Sequence, residues 1–348
     1  MINIKHLLNK QPDRLGLDID TKSINLVQLK KIPQGGYEVV SNGSFDIALR
    51  GAQPSEYQSL RDYLKDLGVG GSHASVSIED NSLRIRKMSF PKMPDRDLME
   101  AIKWNFREYI DCSCDEYEVA YTPINKWNEG DQQIYCAYGV SKQAIQEHLE
   151  ITKQLGLKVV AIEPRATALL AAFNDCIPWD ARSTVVCVFM GDTSSFFTVM
   201  SDRQMLFSRP MTMISSELLV KHIARSFEID EKVAKELFDG FLCNNDQDDK
   251  DSAGRKIEDY VEALKSLYSQ LVIETQRSID AFCLMFKVEK VDKIYLCGKG
   301  AYAPNIAQHI HNVLGIETQI FNPFDKVVTP QIANRSTLYA VAYGLAIT

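Results

Sequence analysis

The stretch Leu15-Gly16-Leu17-Asp18-Ile19-Asp20-Thr21-Lys22-Ser23-Ile24-Asn25-Leu26-Val27-Gln28-Leu29 decides the reading of this chain. Its apolar start predicts a strand, residues 18–23 a tight polar turn, and residues 24–29 a second strand rich in branched side chains. A similar arrangement returns in the second half. There Thr184-Val185-Val186-Cys187-Val188-Phe189-Met190 runs into Gly191-Asp192-Thr193-Ser194-Ser195 and leaves through Phe196-Phe197-Thr198-Val199-Met200. After each copy come another polar turn and another strand, at 31–40 and 201–208, so the pattern is that of a duplication. Either turn alone reads as an ordinary hairpin, made of the Asp, Ser, Thr and Gly that turns use. The repetition points instead to a paired site, in which successive N–H groups form an anion nest and a carboxylate holds the water shell of a magnesium ion.

With 348 residues the chain is long enough for about two domains with separate cores. A hydrophobic content of 45% and a charged content of 24% belong to an ordinary globular protein. The net charge of -7, with no basic cluster, argues against a nucleic-acid partner. No stretch approaches the length of a membrane span and the N-terminus lacks a secretory signal; residues 1–8 are mildly amphipathic but too short to hold a membrane. A cytoplasmic location is expected. Among eight cysteines, Cys187, Cys283 and Cys297 lie in apolar surroundings, Cys112 and Cys114 in a polar turn, and Cys136, Cys176 and Cys243 are scattered. Without a C-x-x-C pair, neither disulfides nor structural zinc are expected.

In chain order, Tyr57, Leu60, Tyr63, Leu64 and Leu67 form a helical stripe ended by Gly68, and 74–78 alternates as a strand. A different texture begins at Ser82: residues 83–90 alternate apolar and basic as an edge strand does. A helix with Leu98, Met99, Ile102, Phe106 and Ile110, strands at 117–124 and 133–140, and a helix at 142–155 follow. This is a small α+β unit, 81–156, inserted into a first domain of 1–80 and 157–180. A second domain, 181–228 and 288–348, brackets a helical part, 229–287, which holds an acidic loop at 244–254 and a long helix at 257–286. A strand at 293–297 runs into Gly298-Lys299-Gly300, where glycine lets backbone approach a ligand. His309 and His311 point to different sides of one helix and form no metal pair.

Two such hairpins facing each other across a cleft resemble the phosphate-binding elements of the actin-like ATPases. The order hairpin, helix, inserted unit, return helix, second hairpin is similar to the PilM family of type IV pilus assembly, and more distantly to the division protein FtsA. Matching segments include Glu108-Tyr109-Ile110, the region 115–121, Gly191, 274–280, Asn322-Pro323-Phe324 and 342–346. The resemblance implies an α/β, actin-like (ribonuclease H-like) duplicated fold with an inserted SHS2-like subdomain. It implies ATP and Mg as cofactors, with Asp18 at the metal; the second-loop carboxylate of the family aligns with Phe189, and Asp192 nearby serves as its catalytic counterpart only if the loop is rearranged. Nucleotide contacts fall on Asp20, Thr21, Lys22 and Ser23 in the first turn, on Gly191, Thr193 and Ser194 in the second, on Glu274 and Arg277 of the long helix, and on Gly298, Lys299 and Gly300. It implies as partner the cytoplasmic N-terminal tail of a PilN-like inner-membrane protein, with other pilus platform proteins, so that the chain is peripheral at the membrane. The tail is expected between the first domain and its insertion, with the strand at 83–90 as a wall.

The chain departs from the family at all three loops. Asp20 stands where the family has glycine, putting a negative charge where phosphate oxygens approach; a carboxylate about 4 Å from a phosphate charge costs about 4 kcal/mol at an effective dielectric near 20. Phe189 replaces the carboxylate of the second loop, and Lys299 replaces a glycine. Lys22 or Lys299 reaching inward would offset Asp20. Phosphoryl transfer needs placed charges and an oriented water, so the expectation is a scaffold with weakened or lost ATP binding and no efficient ATPase activity, or even no cofactor. The competing expectations are an active ATPase or kinase using Asp18 and Asp192, and an FtsA-like division protein.

Overall fold

A computed structural model describes residues 13–33, 35–47, 51–110, 113–180, 183–241, 254–327 and 333–348. The N-terminal segment 1–8, Cys112, Cys243 and nearly all of the acidic loop, whose last residue is Gly254, lie outside the described residues.

Strands β1 (Asp13–Ile19), β2 (Ser23–Lys31) and β3 (Tyr37–Asp46) form an antiparallel meander. Helix α1 (Pro54–Asp66) leads to β4 (His73–Ile78), parallel to β1. The inserted unit carries β5 (Arg84–Pro91), α2 (Asp95–Phe106), β6 (Tyr117–Glu129), β7 (Gln132–Ser141) and α3 (Lys142–Gln154). The chain then returns through β8 (Lys158–Pro164) and α4 (Arg165–Cys176). The first sheet has the order β3-β2-β1-β4-β8.

The second half repeats this plan. A meander of β9 (Thr184–Met190), β10 (Ser195–Ser201) and β11 (Gln204–Met211) is followed by α5 (Ser216–Phe227), α6 (Glu231–Phe241) and α7 (Ile257–Phe286). Then come β12 (Lys293–Cys297), α8 (Ile306–Leu314), β13 (Glu317–Ile320) and α9 (Ala340–Ile347). Its sheet runs β11-β10-β9-β12-β13, with β12 parallel to both β9 and β13. All residues of β9 and β10 are buried, which is why these strands read as continuous apolar runs.

The inserted sheet, β5-β7-β6, has its own small core, in which Leu98, Ile102 and Phe106 of α2 pack on Met88, Val119 and Ala137. Gly139 makes room for this helix, since a Cβ there would stand 2.5 Å from Phe106 Cε1. The end of α3 leaves the unit: Leu155 and Leu157 are buried in the core of the first sheet, with Ile151 packed against it. The insertion therefore gives its last helix partly to the first domain.

The C-terminal helix, which sequence reading assigned to the second domain, makes contacts with the first half. Helix α9 packs on α4 and on β1 of the first half. The approach is close because two glycines remove the side chains between backbones. A Cβ on Gly16 would stand 1.9 Å from Ala342 O, and one on Gly344 would stand 1.8 Å from Ala168 O. Conversely, α4 reaches the second half through Phe173, whose ring stacks on Phe321 at 4.1 Å and meets Tyr295 edge-on at 5.1 Å. Among the described residues no helix is long and apolar enough to cross a membrane.

Backbone contacts relax less than side-chain tips, so Gly344→Ala is expected to cost about 1–3 kcal/mol of stability. Gly240→Ala in α6, where a Cβ meets nothing within 4 Å, is expected to be neutral or to add up to about 1 kcal/mol. Urea unfolding of both variants checks the contrast; equal midpoints would refute the packing argument.

Candidate functional site

The two hairpin turns adopt the same backbone closure. Asp20 N donates to Ser23 O at 2.8 Å in the first, and Gly191 N donates to Ser194 O at 3.0 Å in the second. Superimposing these bonds makes Asp20 the counterpart of Gly191 and Asp18 the counterpart of Phe189. The turns also touch: Thr21 and Thr193 share a hydroxyl hydrogen bond of 2.8 Å, and Ser23 Oγ donates to Asp192 Oδ2 at 2.6 Å.

Between the turns lies the side chain of Arg165, with no solvent exposure. It opens α4 directly after β8, and β8 lies beside β4, so the guanidinium emerges next to the end of β1. Its Nε donates to Asp18 Oδ1 at 2.8 Å, its Nη2 to Ile19 O at 2.9 Å, and its Nη1 to Ser194 Oγ at 3.3 Å while standing 3.2 Å from Asp20 Oδ2. The ring of Phe189 stacks on Phe196 and lies 5.4 Å from the guanidinium carbon. Phe189 thus forms an aromatic face beside the buried cation.

Asp20 uses its carboxylate on the N–H groups of both turns. Oδ1 accepts from Thr21 N at 2.7 Å and Oδ2 from Asp192 N at 3.0 Å. Gly191 permits this approach, because a Cβ there would stand 2.7 Å from Asp20 Oδ2. Asp18 is further held by Ser77 Oγ at 2.7 Å. Burial pushes the Asp18 carboxyl above the usual range, against the attraction of Arg165, and burial followed by repulsion from Asp20 does the same at Asp192. Glu79, just past β4, is pushed up to about 7 by burial, opposed by Arg165 and assisted by Asp20 and Asp18.

A cavity of about 270 Å³ opens beside this network, lined by Asp18, Asp20, Ser23, Asn25, Asp192 and Lys299 together with Asp46, Asp239 and Gly298. Neither lysine reaches Asp20: Lys22 binds Glu217 of α5 at 3.1 Å, and Lys299 binds Asp239 of α6 at 2.7 Å. Arg165 offsets the charge instead. Gly298 adopts φ 83° and lies against Met190 O, while Gly300 is set against the Met190 side chain. Glu274 and Arg277 do not line this cavity. Glu274 binds Arg209 at 3.2 Å, and Arg277 is exposed.

Arg209 belongs to a second cavity, of about 470 Å³, between the inserted unit and the second half. Ile85, Arg86 and Lys87 of β5 face Leu206 and Arg209 of β11 there, with Met285 of α7 at its side. The strand read as a wall thus borders a space toward the second half, whereas the expected groove lay toward the first domain.

Sequence reading missed Arg165 and Glu79. The available signal was an arginine at the first position of a helix, where the macrodipole disfavours a cation, following Glu163-Pro164 and facing two unexplained aspartates.

The folded chain holds the Glu79 proton up to about pH 7, while the unfolded chain releases it near 4.5. The unfolded state therefore binds fewer protons in that window, and stability falls as pH rises through it, by up to about 3 kcal/mol. Glu79→Gln is expected to remove this loss, so that its urea midpoint gains on the parent's between pH 5 and pH 8. Parallel profiles would show that Glu79 ionises normally.

The profile of the type IV pilus assembly protein PilM family matches residues 16–348. No curated protein matches the chain. Among solved structures, the chain is similar to a PilM–PilN type IV pilus biogenesis complex, with 20% identity, 96% of this chain and 97% of that chain covered, and a TM-score of 0.80. It is also similar to the ethanolamine utilization protein EutJ from Carboxydothermus hydrogenoformans, with 12% identity, coverage of 97% and 90%, and a TM-score of 0.59. MreB5 of Spiroplasma citri bound to AMPPNP follows with 12% identity, coverage of 97% and 96%, and a TM-score of 0.53. These neighbours share the actin-like fold, and with the family profile spanning nearly all of its length the chain belongs to the type IV pilus assembly protein PilM family.

Proposed function

We propose that this chain is a scaffold of a type IV pilus inner-membrane platform, that it binds the cytoplasmic tail of a PilN-like membrane protein, and that its nucleotide cleft is filled by its own side chains. One observation carries the last point: the Asp20 carboxylate accepts the turn N–H groups of Thr21 and Asp192, while Arg165 binds Asp18 and Asp20. An internal anion sits where phosphate oxygens would accept N–H donors, and an internal cation sits where a metal would bridge the loops. Asp18 committed to Arg165 is not free to hold a metal's water shell. The residues present therefore do not fit Mg–ATP, and no hydrolytic step runs through Asp18 and Asp192. In this reading closure of the two halves needs no ligand, as suits a part whose role is to hold others in place.

The tail would add along β5, which pairs with β7 alone in its sheet and so lies at the sheet's edge. Strand addition supplies main-chain hydrogen bonds, and apolar side chains of the tail would anchor against Ile85, Leu206 and Met285.

Mg–ATP at millimolar concentration is expected to leave the melting temperature and the rate of phosphate release unchanged; a rise in melting temperature on addition of Mg–ATP would overturn the filled-cleft reading. For the tail, fluorescence anisotropy of a labelled PilN-like peptide is expected to show saturable binding indifferent to nucleotide. Met285→Glu, at a residue 44% exposed, is expected to weaken that binding about ten-fold or more with no change in melting temperature. Undiminished binding would remove the β5 edge from consideration.

A further inference from the structure

The inserted unit gathers arginines that the sequence spaces apart. Arg84 and Arg86 lie on β5, and Arg107 opens the short 3-10 turn, Arg107–Tyr109, that follows α2. Arg84 Nε donates to Tyr109 O at 3.1 Å, and the Arg86 guanidinium carbon lies 4.9 Å from the centre of the Tyr109 ring. That of Arg107 lies 4.3 Å from the centre of the Trp104 ring. The remaining bonds of Arg84 and Arg86 go to the carbonyls of Asn81, Leu83 and Ile85. All three guanidiniums are thus held by uncharged groups, and among the described residues none of them is paired with a carboxylate. Burial and the charge of Arg84 both press against the charge of Arg86, which nothing nearby neutralises.

The aromatic side chains are a second, independent feature. While α2 buries Leu98, Ile102 and Phe106, its Trp104 is 66% exposed, and Tyr109 is 38% exposed. Trp and Tyr carry an apolar body with a polar handle, and they collect at the headgroup level of bilayers. Arginines are drawn to the same level by anionic headgroups. The chain as a whole carries -7, so an anionic surface repels it on average and contact has to be made through a local cationic face.

Position adds a third argument. Arg86 and Tyr109 also border the cavity of about 470 Å³ in which the tail of a membrane protein would lie. A tail held there brings the rim of its site toward the bilayer from which it hangs. This step rests on the proposed function; the first two do not.

We propose that Arg84, Arg86, Trp104, Arg107 and Tyr109 form a face that rests directly on an anionic lipid surface, with the arginines at headgroup phosphates and the Trp104 ring among the headgroups. The contact is weak alone. It adds to that of the tail, because a tethered chain meets the surface at high effective concentration.

Co-sedimentation of the whole chain with vesicles at low ionic strength, with no peptide present, tests the proposal. Vesicles of phosphatidylcholine alone are compared with vesicles that also contain phosphatidylglycerol. Binding is expected to the anionic vesicles only, with a shift of tryptophan emission to shorter wavelength that Trp104→Phe abolishes. Arg107→Glu is expected to weaken binding about five-fold or more, and Glu108→Gln, which removes an exposed carboxylate from the same turn, to strengthen it about two-fold. Both positions are exposed, so neither change is expected to move the melting temperature. Lys265→Glu makes the same charge change at an exposed site on α7 and is expected to alter binding less than about two-fold.

Absence of binding to anionic vesicles overturns the proposal, as does equal binding to both kinds of vesicle. Equal weakening by Arg107→Glu and Lys265→Glu is general electrostatic attraction and overturns it too. Self-association lost in Trp104→Ser, without vesicle binding, would assign the face to a second copy of the chain. If vesicles fail while the labelled tail peptide still binds, the lipid face falls and the tail reading stands. If the peptide fails while vesicles bind as expected, the tail reading falls and the lipid face stands on its side chains.

Discussion

A guanidinium with no solvent exposure is the constraint on which the cleft depends. Moving an ion out of water costs several kcal/mol even after relaxation, and geometry must recover it. Arg165 recovers it with two carboxylates, a backbone carbonyl and a hydroxyl, drawn from two separate segments of the chain, residues 18–20 and Ser194. Burial opposes its charge, while Asp18, Asp20 and Glu79 hold the side chain firmly protonated. Because Ser194 belongs to the second half and the aspartates to the first, the ion ties the hairpins to each other. Other ties add to it: the Thr21–Thr193 and Ser23–Asp192 bonds, and the contact of Phe173 with Phe321. The halves are joined at the cleft and beneath it.

Most of the fold was legible because it is written in local periodicity. The long helix was read at 257–286 and buries a stripe of Leu264, Leu267, Leu271, Ile279 and Phe282, and the paired hairpins showed their apolar runs and polar turns. What escaped was long-range. Nothing in the residues of α9 says that it crosses to β1, since a helix apolar all round fits any buried place. The decisive residues for that crossing, Gly16 and Gly344, lie near opposite ends of the chain and act by having no side chain.

The site was half legible for a related reason. Composition located both turns and the family resemblance marked Asp20 and Phe189 as departures, but the partner of Asp20 came from another element. Lys22 and Lys299 were nearer in sequence or in the expected loops; both are drawn off, by Glu217 and Asp239. A charge balance made over the loops alone could not close, and the imbalance itself was the sign that a cation elsewhere in the chain pointed inward. The same reasoning explains Glu274. As one member of a helical pair it was read with Arg277, yet its ion pair is with Arg209 on a neighbouring strand.

The cleft residues at positions 20, 165 and 189 are best understood as one unit. A glycine at position 20 would leave Arg165 with Asp18 as its one bound carboxylate among the described residues, and the two turn N–H groups without their internal acceptor. A carboxylate at position 189 would add a further charge where carboxylates already outnumber their cations. An uncharged residue at position 165 would leave Asp18 and Asp20 buried together unneutralised, the kind of broken ion network that costs about 3–5 kcal/mol. Each is tolerable only beside the others, so the effects of changing them cannot be additive. The three together form a joint between the halves, with an acidic cavity beside it.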